Sequence, residues 1–483
     1  MQTYDIGLIG LAVMGRNLTL NISDHDFSVA VYNRTFEKTN AFLKNSAQGR
    51  KIAGAASLEE FTALLKKPRK IMLMIKAGKP IDLTIEALLP YLEKGDVIID
   101  GGNSYFKDSI RRHAYLEQKG FHFIGTGVSG GEIGARRGPS IMPGGSEEAW
   151  ELIRPLLQAI SAKIDGDIPC CDWMGTDGAG HYVKMVHNGI EYGFMQLTAE
   201  SYFFMKEVLQ LSYKEMAEQF KQWDNGKLNS YLIEITSEIL TVKDEDGGPL
   251  MEKILDAAGQ KGTGRWTSES AFELGIPLTL ISESVFARAL SALKNERVSA
   301  QKLIQGPVFS FKGHKQDMLQ DIENALYMAE IISYAQGFML FREAAKEYHW
   351  HLNYTSIANI WRNGCIIRSS LLKHIKTAFS NNPTLENLLV DPFFLKVAEE
   401  NVPSLRRVVS IASQAGIPIP AFSSALSFFD GYRTAVLPAN LTQAQRDYFG
   451  SHTYERVDRQ RGEHFHTNWT GEGGDVTAST YNA

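Results

Sequence analysis

Between Gly178 and Gly193 the sequence reads G-A-G-H-Y-V-K-M-V-H-N-G-I-E-Y-G, and five of these residues have side chains that do chemistry. Lys184, His187, Asn188, Glu191 and Tyr192 stand at i, i+3, i+4, i+7 and i+8, the spacing that places side chains on one face of an α-helix. A base, an acid and three hydrogen-bonding groups on one face suit proton transfer to and from a bound molecule. The stretch has no proline, and Val183, Val186 and Ile190 recur with helical period, so a helix entered through a glycine turn is expected. Its flanks, with Met185 and Met195, are those of a buried helix, and polar groups on such a helix must find partners. The competing reading is a surface stripe in which Lys184 and Glu191 only bridge to neighbours. The remaining elements have to decide.

The chain has 483 residues, more than one ordinary core can organise, and two or three domains are expected. With 44% hydrophobic residues, 22% charged residues and a net charge of -5, it reads as a soluble globular protein and not as a nucleic-acid binder. An anionic ligand would need a local cluster of cations. Three cysteines, Cys170, Cys171 and Cys365, are too few for a disulfide framework and lack zinc-site spacing, which suggests a reducing compartment. The first strand is expected from about Tyr4, with no signal peptide before it and no membrane span after it. A cytoplasmic location is expected.

The elements before the catalytic stretch read as a dinucleotide site. An apolar strand, Tyr4 to Ile9, runs into Gly10, Leu11, Ala12, Val13, Met14 and Gly15 and then a helix through Ile22, the arrangement that offers backbone N–H groups and a helix start to a pyrophosphate. Alanine stands where the usual G-x-G-x-x-G has its middle glycine. A second strand, Ser28 to Tyr32, ends at Asn33-Arg34-Thr35, with Lys38 one turn on. An NAD enzyme usually has a carboxylate there, whereas Arg34 can clamp a 2′-phosphate bidentately, so NADP is the expected cofactor. Strands over Lys70–Ile75, Val97–Asp100 and Phe121–Thr126 alternate with helices over Ile81–Leu92 and Phe106–Gln118, the pattern of a doubly wound parallel sheet. The loops after these strands carry Lys76-Ala77-Gly78, Gly101-Gly102-Asn103-Ser104 and Gly127-Val128-Ser129-Gly130-Gly131. Ser129 and its two glycines could form a nest of donors for a carboxylate, or the glycines could merely shape turns.

Domains are expected over 1–177, 178–435 and 436–483. The middle one reads as all helical, with a weak repeat in which Trp223-Asp224-Asn225-Gly226 returns as Trp361-Arg362-Asn363-Gly364, either two related helical halves or chance. Gln260-Lys261-Gly262-Thr263-Gly264 places a cation and a hydroxyl on glycine-freed backbone, as phosphate contacts often require, with Arg288 and Arg297 on a helix downstream. The last segment carries Arg446 and His452 and then a Gly/Thr-rich tail with Phe465, Trp469 and Tyr481, aromatic anchors that suggest docking on a partner subunit. His464 and His466 resemble a metal pair, but without a carboxylate they read as structural.

Seven motifs in order carry a resemblance to the 6-phosphogluconate dehydrogenases, the decarboxylating enzymes of the pentose phosphate pathway. They are G-L-A-V-M-G at 10–15, N-R-T at 33–35, G-G-N-S at 101–104, G-V-S-G-G at 127–131, G-H-Y-V-K-M-V-H-N-G-I-E-Y at 180–192, Q-K-G-T-G at 260–264 and R-D-Y-F-G-S-H at 446–452. The resemblance covers essentially the whole length. It implies that Lys184 is general base and acid and that Glu191 donates a proton to C1 of the product enediol. It implies further that Asn103, Ser129, Gly130, Gly131, His187 and Asn188 hold the sugar acid, with Tyr192, Lys261, Thr263 and Arg288 around its phosphate. Arg446 and His452 match family residues that reach the other subunit's site, which implies a homodimer. NADP would lie along residues 10–15, Asn33, Arg34, Thr35, Lys38, Lys76, Ala77 and Asn103. Phe194 departs from the family pattern, where aspartate is expected. For this chemistry the lysine must fall from ~10.4 toward ~7–8 and the glutamate must rise. Rival readings are another 3-hydroxyacid dehydrogenase of the same plan, a metal-assisted decarboxylase using His187 and Glu191, and a non-catalytic NADP-binding sensor.

Overall fold

A computed structural model of the protein describes residues 3–472, 477 and 478. Tyr481, expected as an anchor, lies outside the described residues. The chain forms two compact units, residues 1–426 and 427–483.

The first unit begins with a seven-stranded sheet: β1 (Ile6–Ile9), β2 (Val29–Tyr32), β3 (Ile52–Gly54), β4 (Lys70–Leu73), β5 (Val97–Asp100), β6 (His122–Val128) and β7 (Ile141–Gly145), in the order β3-β2-β1-β4-β5-β6-β7. Because strand side chains alternate between faces, Val29, Val31, Ile99 and Ile124 enter one core with Leu18, Ile22 and Trp150 from covering helices. Their neighbours Ala30, Ile98 and Phe123 enter the other, with Phe61, Ile85 and Leu116. Buried on both faces, the strands read as continuous apolar runs.

The expectation of an all-parallel sheet fails at its edge. β7 runs antiparallel to β6, pairing Ile124 with Gly145 and Val128 with Ile141. The short helix Gly131–Arg137 turns the chain back at the carboxyl end of β6 without crossing a face of the sheet. This edge is where the next helix docks. A Cβ on Gly180 would lie 2.4 Å from the Gly125 carbonyl and 2.5 Å from the Gly144 nitrogen, so only glycine lets the helix start so close to β6 and β7.

That helix, Ala179–Glu207, opens the helical part of the unit and is buried along most of its length. A second long helix, Lys315–Glu347, packs beside it. The first is followed by Tyr213–Asp224 and Tyr231–Ile239, the second by Tyr354–Ile360 and Leu371–Asn381. Trp223 and Trp361 are both buried, each at the end of the middle helix of its set. The matching turns that follow exchange bonds: Tyr231 N–H donates to the Arg368 carbonyl (3.1 Å) and Ser370 N–H to the Asn229 carbonyl (3.0 Å). The tetrapeptide repeat thus marks two like-built halves. Arg288 and Arg297 do not share a helix as expected, because the chain breaks at Leu293 between Thr279–Ala292 and Lys294–Gln301. Arg297 is committed to Asp256 (3.0 Å). Among the described residues no helix is long and apolar enough to cross a membrane.

In the second unit, helix Ala439–Gly450 is joined by a two-residue ladder, Tyr454–Glu455 with His464–Phe465. Asp447, fully buried, organises it by accepting from Thr453 N–H (2.9 Å), Thr467 N–H (3.0 Å), the Trp469 indole (2.8 Å) and the His466 ring (2.9 Å). Burial alone would raise this carboxyl, but His466 and the other donors hold it below its ordinary value. The described tail is therefore anchored on its own unit, and His466 is spent on that anchor.

Candidate active site

One cleft of about 630 Å³ in the first unit collects residues from seven stretches of the chain. Asn103 comes from the loop after β5, and Ser129, Gly130 and Gly131 from the end of β6. Lys184, Asn188, Glu191 and Tyr192 come from the central helix, Lys261 and Thr263 from the start of helix Thr263–Glu273, and Arg288 from helix Thr279–Ala292. Met14 of the glycine turn also reaches it. The helical face read from the sequence is therefore the floor of a cleft and not a surface stripe.

Each polar group on that floor has a defined neighbour. Lys184 is buried, and its stem passes so close to β6 that a Cβ on Gly127 would lie 2.3 Å from the Lys184 Cβ. Its Nζ is 3.3 Å from His187 Nδ1. His187, wholly buried behind the cleft, meets Asn188 Oδ1 at 3.1 Å through Nδ1 and the Ser129 hydroxyl at 3.2 Å through Nε2. This pattern fits a neutral ring that donates from Nδ1 to Asn188 and accepts at Nε2 from Ser129. Glu191 Oε2 lies 3.8 Å from the same Nδ1.

Burial sets the protonation of all three. It lowers the Lys184 ammonium below the ordinary lysine value, against a smaller opposing pull from Glu191. It pushes Glu191 up, and Lys184, Arg288 and Lys261 pull it partly back. His187 is held well below its ordinary value, first by burial and then by the neighbouring lysine. An amine lowered and a carboxyl raised by burial, two helical turns apart, form an acid–base pair whose affinities for the proton are drawn toward each other.

The far end of the cleft is cationic. Arg288 lies with its guanidinium 3.5 Å from the centre of the Tyr192 ring and donates to the Gly259 carbonyl (3.2 Å), so stacking and one hydrogen bond fix its direction. Gly264 also packs against Tyr192, where a Cβ would lie 2.7 Å from the ring. Lys261 is exposed beside it. Phe194, the departure from the family pattern, is buried edge-on against Tyr334 (5.0 Å between centroids), a core contact on the other side of the helix.

The residues expected for the cofactor line the carboxyl ends of β1, β2 and β4. Gly10 has φ 105°, and a Cβ on Gly15 would lie 1.9 Å from the Gly10 carbonyl, so the turn from β1 into helix Val13–Asp24 requires both glycines. Asn33 accepts from Leu11 N–H (3.2 Å) and donates to the Thr35 carbonyl (3.1 Å), tying the second loop to the first. Arg34, Thr35 and Lys38 are exposed, and Arg34 forms no ion pair among the described residues. Lys76 and Ala77 follow β4. Arg446 and His452 belong to the second unit, where Arg446 donates to Gln443 (3.0 Å) and His452 Nδ1 is buried without a hydrogen-bond partner among the described residues. No group of three His, Cys, Asp or Glu among the described residues could hold a metal ion.

Sequence reading missed Val128, Met195 and Ile366, apolar residues of the cleft wall that carry no chemical signal. It also missed a buried layer behind the loop of Asn103: Asp100, Ser104, Arg112 and His181.

Comparison with known proteins agrees with this geometry. The profile of the 6-phosphogluconate dehydrogenase C-terminal domain matches residues 180–469, and that of the NAD binding domain of 6-phosphogluconate dehydrogenase matches residues 5–175. The decarboxylating 6-phosphogluconate dehydrogenase of Ovis aries is 58% identical over 484 residues, covering all of both chains. That of Haemophilus influenzae is 57% identical over 477 residues, 99% of each. The solved Plasmodium falciparum 6-phosphogluconate dehydrogenase, studied apo, with its cofactor NADP+ and with its substrate 6-phosphogluconate, superposes with a TM-score of 0.93 at 46% identity over 96% of this chain and all of that one.

Proposed function

The chain belongs to the 6-phosphogluconate dehydrogenase family, and from that premise we propose that it oxidises and decarboxylates 6-phosphogluconate to ribulose 5-phosphate and carbon dioxide, with NADP as oxidant. One observation carries the reading: Lys184, lowered by burial, and Glu191, raised by burial, share the floor of a cleft whose far end is cationic.

The residues present fit the cofactor. The Gly10–Gly15 turn has no room for a Cβ at Gly15, which opens its backbone to a pyrophosphate, and Arg34, exposed and without an ion-pair partner among the described residues, suits a 2′-phosphate. Residues 10–15, Asn33–Thr35, Lys38, Lys76, Ala77 and Asn103 would hold it. When bound, NADP supplies the acceptor for the hydride that leaves C3.

Neutral Lys184 takes the C3 hydroxyl proton, giving a 3-keto acid whose carboxylate is β to the new carbonyl. As ammonium, Lys184 then polarises that carbonyl, into which the electrons of the breaking C1–C2 carboxylate bond flow. Neutral Glu191 protonates the former C2 carbon, C1 of the product enediol. Asn103, Ser129, Gly130, Gly131, His187 and Asn188 orient the sugar acid, while Tyr192, Lys261, Thr263 and Arg288 receive its phosphate.

We also propose that the enzyme acts as a homodimer in which Arg446 and His452 of the partner subunit complete the phosphate site. Supporting this, Phe286, Leu290, Leu303, Ile304 and Val308 are exposed, and a groove of about 980 Å³ with a largely apolar wall runs past Phe286 and Leu290. Together they suit burial against a second copy.

The test is to follow NADPH absorbance and carbon dioxide release together, at neutral pH in EDTA, with 6-phosphogluconate and NADP. Equal amounts of the two products are expected. No turnover by folded, NADP-bound protein would contradict the reading.

A further inference from the structure

Behind the cleft lies a buried arginine that no reading of the reaction uses. Arg112, on helix Phe106–Gln118, is 1% exposed, and its guanidinium bonds to three groups in two other parts of the chain. Nε donates to Asp82 (2.8 Å), Nη1 to Asp100 (3.2 Å) and Nη2 to the backbone carbonyl of Gly78 (3.1 Å). Gly78 closes the Lys76-Ala77-Gly78 loop. Asp100 ends β5 and turns its remaining capacity on the next loop, accepting from Gly102 N–H (3.1 Å) and the Ser104 hydroxyl (2.7 Å).

The Asn103 loop is held from its other side as well. The Gly102 carbonyl meets His181 Nε2 at 3.0 Å, and His181 Nδ1 meets the Ser109 hydroxyl at 2.6 Å. His181 lies one turn before Lys184 on the central helix, and Ser109 lies one turn before Arg112. A donor–acceptor chain therefore runs from the Lys76 loop through Arg112 and Asp100 to the Asn103 loop, and on through His181 to the helix that carries the base.

A buried charged pair is costly to assemble and adds little net stability, whereas its geometry is rigid. Here the rigidity is applied to two loops at the carboxyl ends of β4 and β5, where ligands meet such a sheet. The geometry points to Arg112 as a positioning residue that locks the Lys76–Gly78 and Gly101–Ser104 loops into one register, so that cofactor and substrate are placed together over Lys184. This rests on the NADP-dependent reading above.

The same sheet supplies its own control. Arg69 is also buried, pairs with Asp96 (2.9 Å) and donates to the Thr62 carbonyl (3.1 Å), but it sits at the amino end of β4, away from these loops. Arg112→Lys and Arg69→Lys both keep a positive charge and lose the fork. Both should lower the melting temperature. Only Arg112→Lys is expected to raise KM for NADP and for 6-phosphogluconate, each by about tenfold, the lower end of the loss of one charge-assisted hydrogen bond, with kcat changed less. NADP affinity measured directly by calorimetry should fall in parallel. If both variants lose stability and leave both KM values at the wild-type level, Arg112 is structural and the inference is overturned. Should Arg112→Lys not fold, Asp82→Asn decides, since Asp82 is half-exposed and its loss leaves Arg112 paired with Asp100. A raised KM for NADP supports the inference and an unchanged one overturns it. Inactive wild-type protein would instead defeat the functional reading on which it rests.

Discussion

The two long helices Ala179–Glu207 and Lys315–Glu347 open the two halves of the helical repeat, lie side by side, and bury polar residues for different ends. On the second, Tyr334 donates to the Ile367 carbonyl (2.9 Å), and Gln336 joins Thr279 (3.0 Å) to the Leu280 N–H (3.1 Å). These groups fasten the core. On the first, Lys184, Asn188 and Glu191 face a cleft. Each helix also carries a glutamate that desolvation raises, Glu330 in the core and Glu191 half-buried at the cleft. Burial pushes Glu330 up to about 8, and burial raises Glu191 as well, though Lys184, Arg288 and Lys261 oppose it. A raised carboxyl is thus common to both helices. What differs is that Glu191 has an amine two turns away on the same face and an open cleft beside it. Burial tunes an acid, but access and a partner give it work.

Breaking the first helix should have the largest effect. Lys184→Met removes the base and is expected to lower kcat/KM by about a thousandfold or more while NADP still binds. Steady-state kinetics with a binding titration checks both. Glu191→Gln should cost about a hundredfold in kcat and remove the basic limb of a bell-shaped pH profile, because the raised carboxyl is the acid. The matching change on the other helix, Glu330→Gln, should leave kcat unchanged, and a comparable loss there would erase the contrast. Outside both helices, Arg34→Ala should raise the KM for NADP about tenfold and spare that for NAD, which a coenzyme comparison reads directly.

The smallest effect sharpens the contrast through stability. Folded Glu330 keeps its proton up to about pH 8, whereas its ordinary value is 4.5. The stability from that proton difference is fully present below the unfolded value and is lost as pH rises through the folded one. Wild-type protein should therefore weaken between those limits, and Glu330→Gln, which cannot ionise, should flatten the curve. Denaturation midpoints across the range test it.

Much of this contrast was legible from the sequence, because it rests on local periodicity. Val97–Asp100 and Phe106–Gln118 form as read, and the face of Lys184, His187, Asn188 and Glu191 follows from helical spacing alone. The antiparallel turn into β7 was not legible, since Ile141–Gly145 holds a proline and two glycines and carries no strand pattern of its own. β3 was missed for a different reason, since its three residues are too few to show a pattern. Arg112 reads as one of several surface charges on an amphipathic helix, and only the fold reveals that Gly78, Asp82 and Asp100 converge on it. Its meaning is entirely non-local. Asp447 in the second unit was hidden likewise, its donors spread over the following turns of chain.

The central claim is that Lys184 serves as the base because its burial beside the cleft lowers its pKa below that of the surface lysines. It is tested most directly by labelling the lysine Cε positions with carbon-13 and titrating the protein by NMR, assigning the Lys184 signal by its absence in Lys184→Met. The account predicts one lysine that loses its proton well before the others, at a pH that matches the acid limb of kcat/KM. A Lys184 signal that titrates with the surface lysines would contradict it.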